Sequence, residues 1–279
     1  MSYKTLLTIV TDPAPVTETL NAAVTLAARE DAHLDVLSLG IDRTQLGYTY
    51  LGGAAVLAQV SMERAADDAA RLDAAVRTIL NRQDIRWAAE AAVAQFAGLG
   101  LIVSTKASFT DLVLLPHPYG TDYTPEAEAV LESVLFEGAA PVLLLPPKGL
   151  PDPLGKRIVI AWNQSREAMA AVRRALPLLK QADLVNIAVV DPPNYGPERS
   201  DPGGALCQML VRHGVKAEVS VLAKTMPRVS EVLMRHVRDQ NADLLVMGAY
   251  GHSRFREALM GGATRDMLEM AEGPVFLAH

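Results

Sequence analysis

Apolar residues follow two rhythms along this chain: short unbroken runs, and longer stretches in which they return every three or four positions. The first marks strands buried on both faces, the second helices with one packing face. Residues 4–10 form a run that Asp12, Pro13, Ala14 and Pro15 break, and 16–30 places Leu20, Ala23, Val24, Ala27 and Ala28 on one helical face. A second strand is predicted over 34–41, followed by a loop over 44–53 rich in glycine and tyrosine. Residues 54–81 predict a long alanine-rich helix whose Val60, Ala65, Ala69, Leu72, Val76 and Leu80 read as a packing face rather than a partner-binding groove. Strands at 84–93, 111–115 and 141–145 alternate with helices at 96–106 and 125–136.

Pro146, Pro147, Gly149, Pro151, Pro153 and Gly155 then interrupt both rhythms, which marks a linker over 148–155 between domains at 1–147 and 156–279. The alternation restarts with strands at 157–161, 184–190, 215–222, 244–247 and 275–277 and helices at 166–180, 204–213 and 227–240, and Met267, Leu268 and Ala271 share a face of a last helix. The halves repeat each other: TDLVLLPHPYG at 110–120 lines up with ADLLVMGAYG at 242–251, and EGAAPVLLL at 137–145 with AEGPVFLA at 271–278. Strands that alternate with helices in this way predict an α/β fold: two tandem Rossmann-like domains, each a five-stranded parallel sheet flanked by helices. Ligands of such sheets sit at the C-terminal strand ends where strand order reverses, here after the first and fourth strands of each half.

A chain of 279 residues is long enough for two such domains, and 50% hydrophobic residues supply their cores. The formal net charge of −6 and the lack of a basic stripe argue against nucleic acid or an anionic membrane surface as partner. No run approaches the ~20 apolar residues of a membrane span, no signal-peptide pattern opens the chain, and Cys207 alone allows no internal disulfide, so a reducing cytoplasm is expected. Cys207 lies among Leu206, Met209 and Leu210 and reads as a packing residue.

The informative stretch is 242–279. Leu244, Leu245, Val246 and Met247 end at Gly248; Gly251 follows; nine residues later come Gly261 and Gly262, then Ala263 and Thr264 at the start of a helix that Gly273 and Pro274 stop. Strand, glycine loop and helix N-terminus in that order suit a phosphate, because the unpaired N–H groups and the positive dipole end favour an anion. The G-x2-G-x9-G spacing is neither a Walker loop nor the dinucleotide fingerprint. It resembles the nucleotide-binding signature of the universal stress protein family, with Gly262 where that family has Ser or Thr.

The resemblance implies an adenine-nucleotide site in the second half, for ATP with a divalent cation such as Mg. Asn163, beside Ala161 and Trp162, stands where the family has an Asp that holds adenosine; Val189 stands where a residue packs on the base. Met247 and Gly248 would lie under the phosphate path, Gly251, Gly261 and Gly262 would give backbone N–H groups to it, and Thr264 a hydroxyl. His252 and Arg254 would add positive charge near phosphate oxygens, although alternating polar residues on a loop are also simply solvated. Gly248→Val or Gly251→Val is expected to remove nucleotide binding and leave the fold. The family also implies a stress-response sensor or regulator, with slow ATP hydrolysis at most. Pairing of the two terminal strands would make an intramolecular pseudo-dimer, with a homodimer and an unnamed protein partner left open.

The first half keeps Asp12 after its first strand but has Pro116 in place of Gly248, and no glycine pair before its last helix, so at most one good nucleotide site is expected. His117 reads as a loop residue, and Glu126 and Glu128 as a solvated helix face. Asp111 and Asp243 recur ahead of each fourth strand, where a strand-entry role is the plain account. No hydrolase or metalloprotease motif is present, and no catalytic residue or metal ligand is assigned. The competing reading is a nucleotide-free interaction module with a decayed pocket, working through the helix at 54–81 or the loop before it.

Overall fold

A computed structural model describes residues 2–43, 54–119, 124–192, 200–249 and 263–279. The chain divides into two compact units: an N-terminal one of residues 2–140 with 147–149, and a C-terminal one of 141–146 with 150–279.

In the N-terminal unit β1 (Thr5–Val10), α1 (Val16–Glu30), β2 (His33–Asp42), α2 (Ala54–Leu80), β3 (Arg86–Gln95), a 3-10 turn (Phe96–Gly98), α3 (Leu99–Ala107), β4 (Leu112–Pro116) and α4 (Pro125–Glu132) follow one another; a π turn (Ser133–Glu137) extends the last helix. The strands lie in the order β3-β2-β1-β4, all parallel. Thus β1 is the strand on whose two sides the chain winds in opposite directions. Ala65, Ala69, Leu72, Val76 and Leu80 of α2 are buried as their spacing predicts. Val60 is the exception at 39% exposed, because it lies near the start of α2, beyond the stretch whose alanines and leucine are buried.

The C-terminal unit takes in β5 (Val142–Leu145), then β6 (Arg157–Ala161), α5 (Arg166–Leu179), β7 (Leu184–Val190), α6 (Gly204–Arg212), β8 (Ala217–Leu222), α7 (Val229–Asp239), β9 (Leu244–Gly248), α8 (Ala263–Met270) and β10 (Val275–Ala278). Strand order is β5-β10-β9-β6-β7-β8. All neighbours are parallel except β5 and β10, which run antiparallel with Val275 opposite Leu144 and Leu277 opposite Val142. The two terminal strands therefore pair as expected, and β5 belongs to the compact unit of the second half.

Each unit secures the entry to its first strand with the same device. Asp111 Oδ2 accepts the N–H groups of Lys4 at 2.7 Å and Thr5 at 3.0 Å. Asp243 accepts those of Gly155 at 3.0 Å and Lys156 at 2.9 Å. These carboxylates take up strand-end donors that no neighbouring strand reaches.

Candidate functional site

The strand order of the C-terminal unit reverses at β6, which has β7 on one side and β9 on the other. The crossovers leave β6 in opposite directions, and ligands of such sheets bind outside the C-terminal strand ends at that point, here those of β6 and β9. Ala161 and Met247 stand opposite each other there, in register. Gly248 closes β9, and Ala249 donates its N–H to Ala278 O at 2.9 Å while its own carbonyl receives His279 Nδ1 at 2.9 Å. The end of β9 is thus pinned to the end of β10 before the glycine loop begins.

Gly248 has a packing role that its sequence setting concealed. A Cβ at this position would come within 2.4 Å of Ala168 N and 2.6 Å of Glu167 C. The absent side chain makes room for the first turn of α5, so a valine here would strike backbone. The expectation that Gly248→Val spares the fold is corrected on that ground.

Trp162 and Asn163 follow β6. Trp162 N–H donates to Ala188 O at 3.0 Å and so prolongs the β6–β7 pairing by one residue. Its side chain is 6% exposed, and the indole Nε1 is buried with no hydrogen-bond partner. A buried unpaired donor costs roughly 1–3 kcal/mol, so it calls for an acceptor such as a water or an ion. Asn163 is exposed, and its Oδ1 accepts the Ser165 N–H at 3.1 Å; Ser165 then caps α5 by accepting the Ala168 N–H on its hydroxyl at 3.1 Å. Asp12 makes the equivalent turn in the N-terminal unit, accepting the Ala14 N–H at 2.8 Å. The exchange of acid for amide therefore leaves the turn intact.

Val189 is buried beneath Gly203, whose positive φ of 82° opens α6; a Cβ on that glycine would lie 3.3 Å from Val189 Cγ2. Thr264 is buried in the first turn of α8, which also buries Met267 and Leu268. Ala263 begins that helix. Gly251, His252, Arg254, Gly261 and Gly262 lie outside the described residues. The structure thus brings Ala161, Trp162, Asn163, Met247 and Gly248 to one sheet edge, with Val189 on the adjoining strand.

Several polar groups escaped the sequence reading. Asn186, alone among the apolar residues of β7, is buried and donates its amide to Glu218 at 2.9 Å and Ser220 at 2.8 Å. Its oxygen is left to accept from His236 Nε2 at 2.8 Å, which sets that imidazole's tautomer. Burial lowers the His236 pKa, against the opposing charges of Asp239 and Glu218. The signal available in sequence was one polar residue inside a strand of otherwise apolar ones. Cys207 is half-buried, and burial, with Asp201 adding to it, raises its thiol pKa.

The N-terminal unit has a cavity of about 380 Å3 at the corresponding strand ends, lined in part by Asp12, Gly40, Ile41, Arg43, Arg71 and Leu72. His117, just past β4, is largely buried; desolvation pushes its pKa down to about 4, and its Nε2 has no partner. Glu126 and Glu128 are not the solvated pair expected. Glu126 is buried and pairs with Arg43 Nε at 2.5 Å, and Glu128 accepts the Tyr119 hydroxyl at 2.8 Å. Arg43 lies 83 residues away in sequence, which is why helix spacing alone misread them. Among the described residues no group of three side chains is placed to hold a metal ion, and no helix is long and apolar enough to cross a membrane.

The profile of the universal stress protein family matches residues 155–279. A universal stress protein of Synechocystis sp. is 35% identical over 120 residues, 43% of this chain; the match spans 41% of that relative, about two fifths of its length. Among solved structures, a universal stress protein from Archaeoglobus fulgidus aligns with a TM-score of 0.68 at 14% identity, covering 98% of this chain and 95% of that one. A functionally unknown protein from Pseudomonas aeruginosa PAO1 aligns with a TM-score of 0.58 at 16% identity, covering 99% and 92%. At such identities these structures speak to the fold, a mostly parallel α/β sheet flanked by helices. Residues 155–279 of this chain are thus similar to the universal stress protein family.

Proposed function

We propose that the second half binds an adenine nucleotide, ATP with a divalent cation, beyond the ends of β6 and β9, and that the chain works as a stress-response regulator governed by that ligand. The observation that carries this reading is the reversal of strand order at β6, with the glycine loop of the sequence issuing directly from β9. The unpaired indole N–H of Trp162 supports it, because a nucleoside offers acceptors to a buried donor. In this reading Trp162 and Asn163 meet the nucleoside, the amides of Gly251, Gly261 and Gly262 meet the phosphates, and Thr264 lies in the first turn of the helix that follows. ATP would bring charge that the backbone amides and the α8 dipole complement. No base is assigned for hydrolysis, so the ligand is read as a signal rather than a substrate.

The test is to denature purified protein, chromatograph what it releases, and titrate the stripped chain with ATP and Mg by calorimetry. Saturable heat at one nucleotide per chain, with a change in Trp162 emission in a Trp87→Phe background, supports the reading. A second reading, the nucleotide-free interaction module, is favoured by a different observation: Leu101 and Phe109, in and just after α3, are 74% and 81% exposed. No released nucleotide and no heat would leave that second reading standing.

A further inference from the structure

We propose that β3 is a contact surface for a second copy of this chain: the two β3 strands pair antiparallel about a two-fold axis at Ala88, with Arg86 of each opposite Glu90 of the other. β3 is the outermost strand of the N-terminal unit, and among the described residues β2 is the strand that pairs with it. It runs for 10 residues, as long as β2, and reads RWAAEAAVAQ. Lysine, proline and bulges are the usual protection of an exposed edge. β3 has neither lysine nor proline, and its register with β2 runs unbroken from Arg86 to Gln95. Alanine is a weak strand former, so an edge built on Ala88, Ala89, Ala91, Ala92 and Ala94 has little side-chain packing of its own to hold it. All of these but Ala94 are at least partly open to water, and their small side chains let a second backbone come close.

The charges select the register. Backbone groups alternate in direction along a strand, and Ala89 O accepts Arg77 Nη2, a side chain of α2, at 2.7 Å. Ala89 therefore turns its backbone groups to the open edge, and Trp87 and Ala91 do so with it. An axis at Ala88 sets Trp87 of one copy against Ala89 of the other, so that outward groups meet outward groups in a hydrogen-bonded pair. It also sets Arg86 against Glu90 twice, once on each side of the axis, as a two-fold requires. An axis at Glu90 would oppose like charges, and one at Ala89 would leave both charges facing alanine.

Both charged residues can reach a second copy. Arg86 pairs with Asp31 at 2.6 Å and Lys106 with Glu90 at 2.5 Å, but all four side chains are exposed, and such pairs hold their members only weakly. Across the axis they join into a row of alternating charge: Asp31, Arg86, then Glu90 and Lys106 of the second copy. A hollow of about 360 Å3, lined in part by Leu7, Leu37, Ala88, Glu90 and the largely exposed Phe109, adjoins the axis. A second copy seated at Ala88 comes down beside that hollow, and apolar surface leaves water there.

The experiment is sedimentation equilibrium of the full-length chain over a range of concentrations, with no nucleotide added, so that its outcome does not depend on what the second half binds. The expected result is a monomer–dimer equilibrium that Arg86→Glu and Glu90→Arg each weaken at least about tenfold, and that the double reversal restores. Register is read separately. The two Ala88 Cα atoms, a non-hydrogen-bonded pair on the axis, would stand about 4.5 Å apart, within reach of a disulfide. Ala88→Cys in a Cys207→Ser background should therefore cross-link into a dimer on mild oxidation, and Ala92→Cys should not. These two variants each change one small side chain, so they keep the proposal testable even where a charge reversal melts early. A chain monomeric at every concentration, a dimer indifferent to both reversals, or a dimer that Ala88→Cys does not cross-link would overturn the proposal.

Discussion

Asn163 Oδ1 holds the Ser165 N–H at 3.1 Å, and that one bond forms the turn that carries the chain from β6 into α5. Because the accepting atom is an oxygen common to amide and carboxylate, Asn163→Asp should keep the turn and gain a few tenths of a kcal/mol from the nearby helix N-terminus. Asn163→Ala should cost about 1 kcal/mol, since it leaves the Ser165 donor without this acceptor. Urea unfolding of both variants checks the pair; equal stabilities would mean that the turn does not depend on the side chain.

Gly248 and Gly251 should part company under substitution. A side chain at Gly248 meets the backbone of Glu167 and Ala168, so Gly248→Val should destabilise the C-terminal unit by about 1–3 kcal/mol or more. Its effect on nucleotide affinity then comes with a lowered melting temperature. Gly251→Val is the cleaner probe of the loop and should weaken ATP binding with an unchanged melt. Calorimetry on both, with thermal unfolding as the control, separates packing from binding.

His117 should make the N-terminal unit acid-sensitive in a defined window. Its folded pKa is pushed down to about 4 from an ordinary 6.5, so between those values the unfolded chain binds a proton that the folded one refuses. Stability therefore falls as pH drops through that window, by roughly 3 kcal/mol in all. His117→Gln should remove this component. Denaturation midpoints at neutral pH and near pH 4, compared between the two proteins, measure it; parallel pH curves would contradict it.

The bonds of Asn186 to His236, Glu218 and Ser220 should behave as one network. Asn186→Leu leaves a buried imidazole N–H unpaired and should cost about 1–3 kcal/mol, whereas Asn186→Leu with His236→Leu should cost less than the sum of the single changes. A double-mutant cycle by chemical denaturation reads the coupling, and strict additivity would refute it.

What the sequence determined by itself is the order and type of the elements and the internal repeat. These follow from apolar periodicity and from glycine and proline chemistry, which act within a short window of chain. The same window placed Ala161, Trp162, Asn163, Met247 and Gly248 at one rim of the second sheet, because strand ends follow from strand assignments. It had no access to what those residues face. Gly248 takes its constraint from the α5 backbone, and Glu126 its partner from Arg43 at the far end of β2. The unpaired Trp162 nitrogen and the His236–Asn186 contact likewise depend on elements far apart in the chain. Only the tertiary structure decides such matters, because sheet order determines which distant polar groups meet in a water-poor interior, and there each donor must find an acceptor or go without.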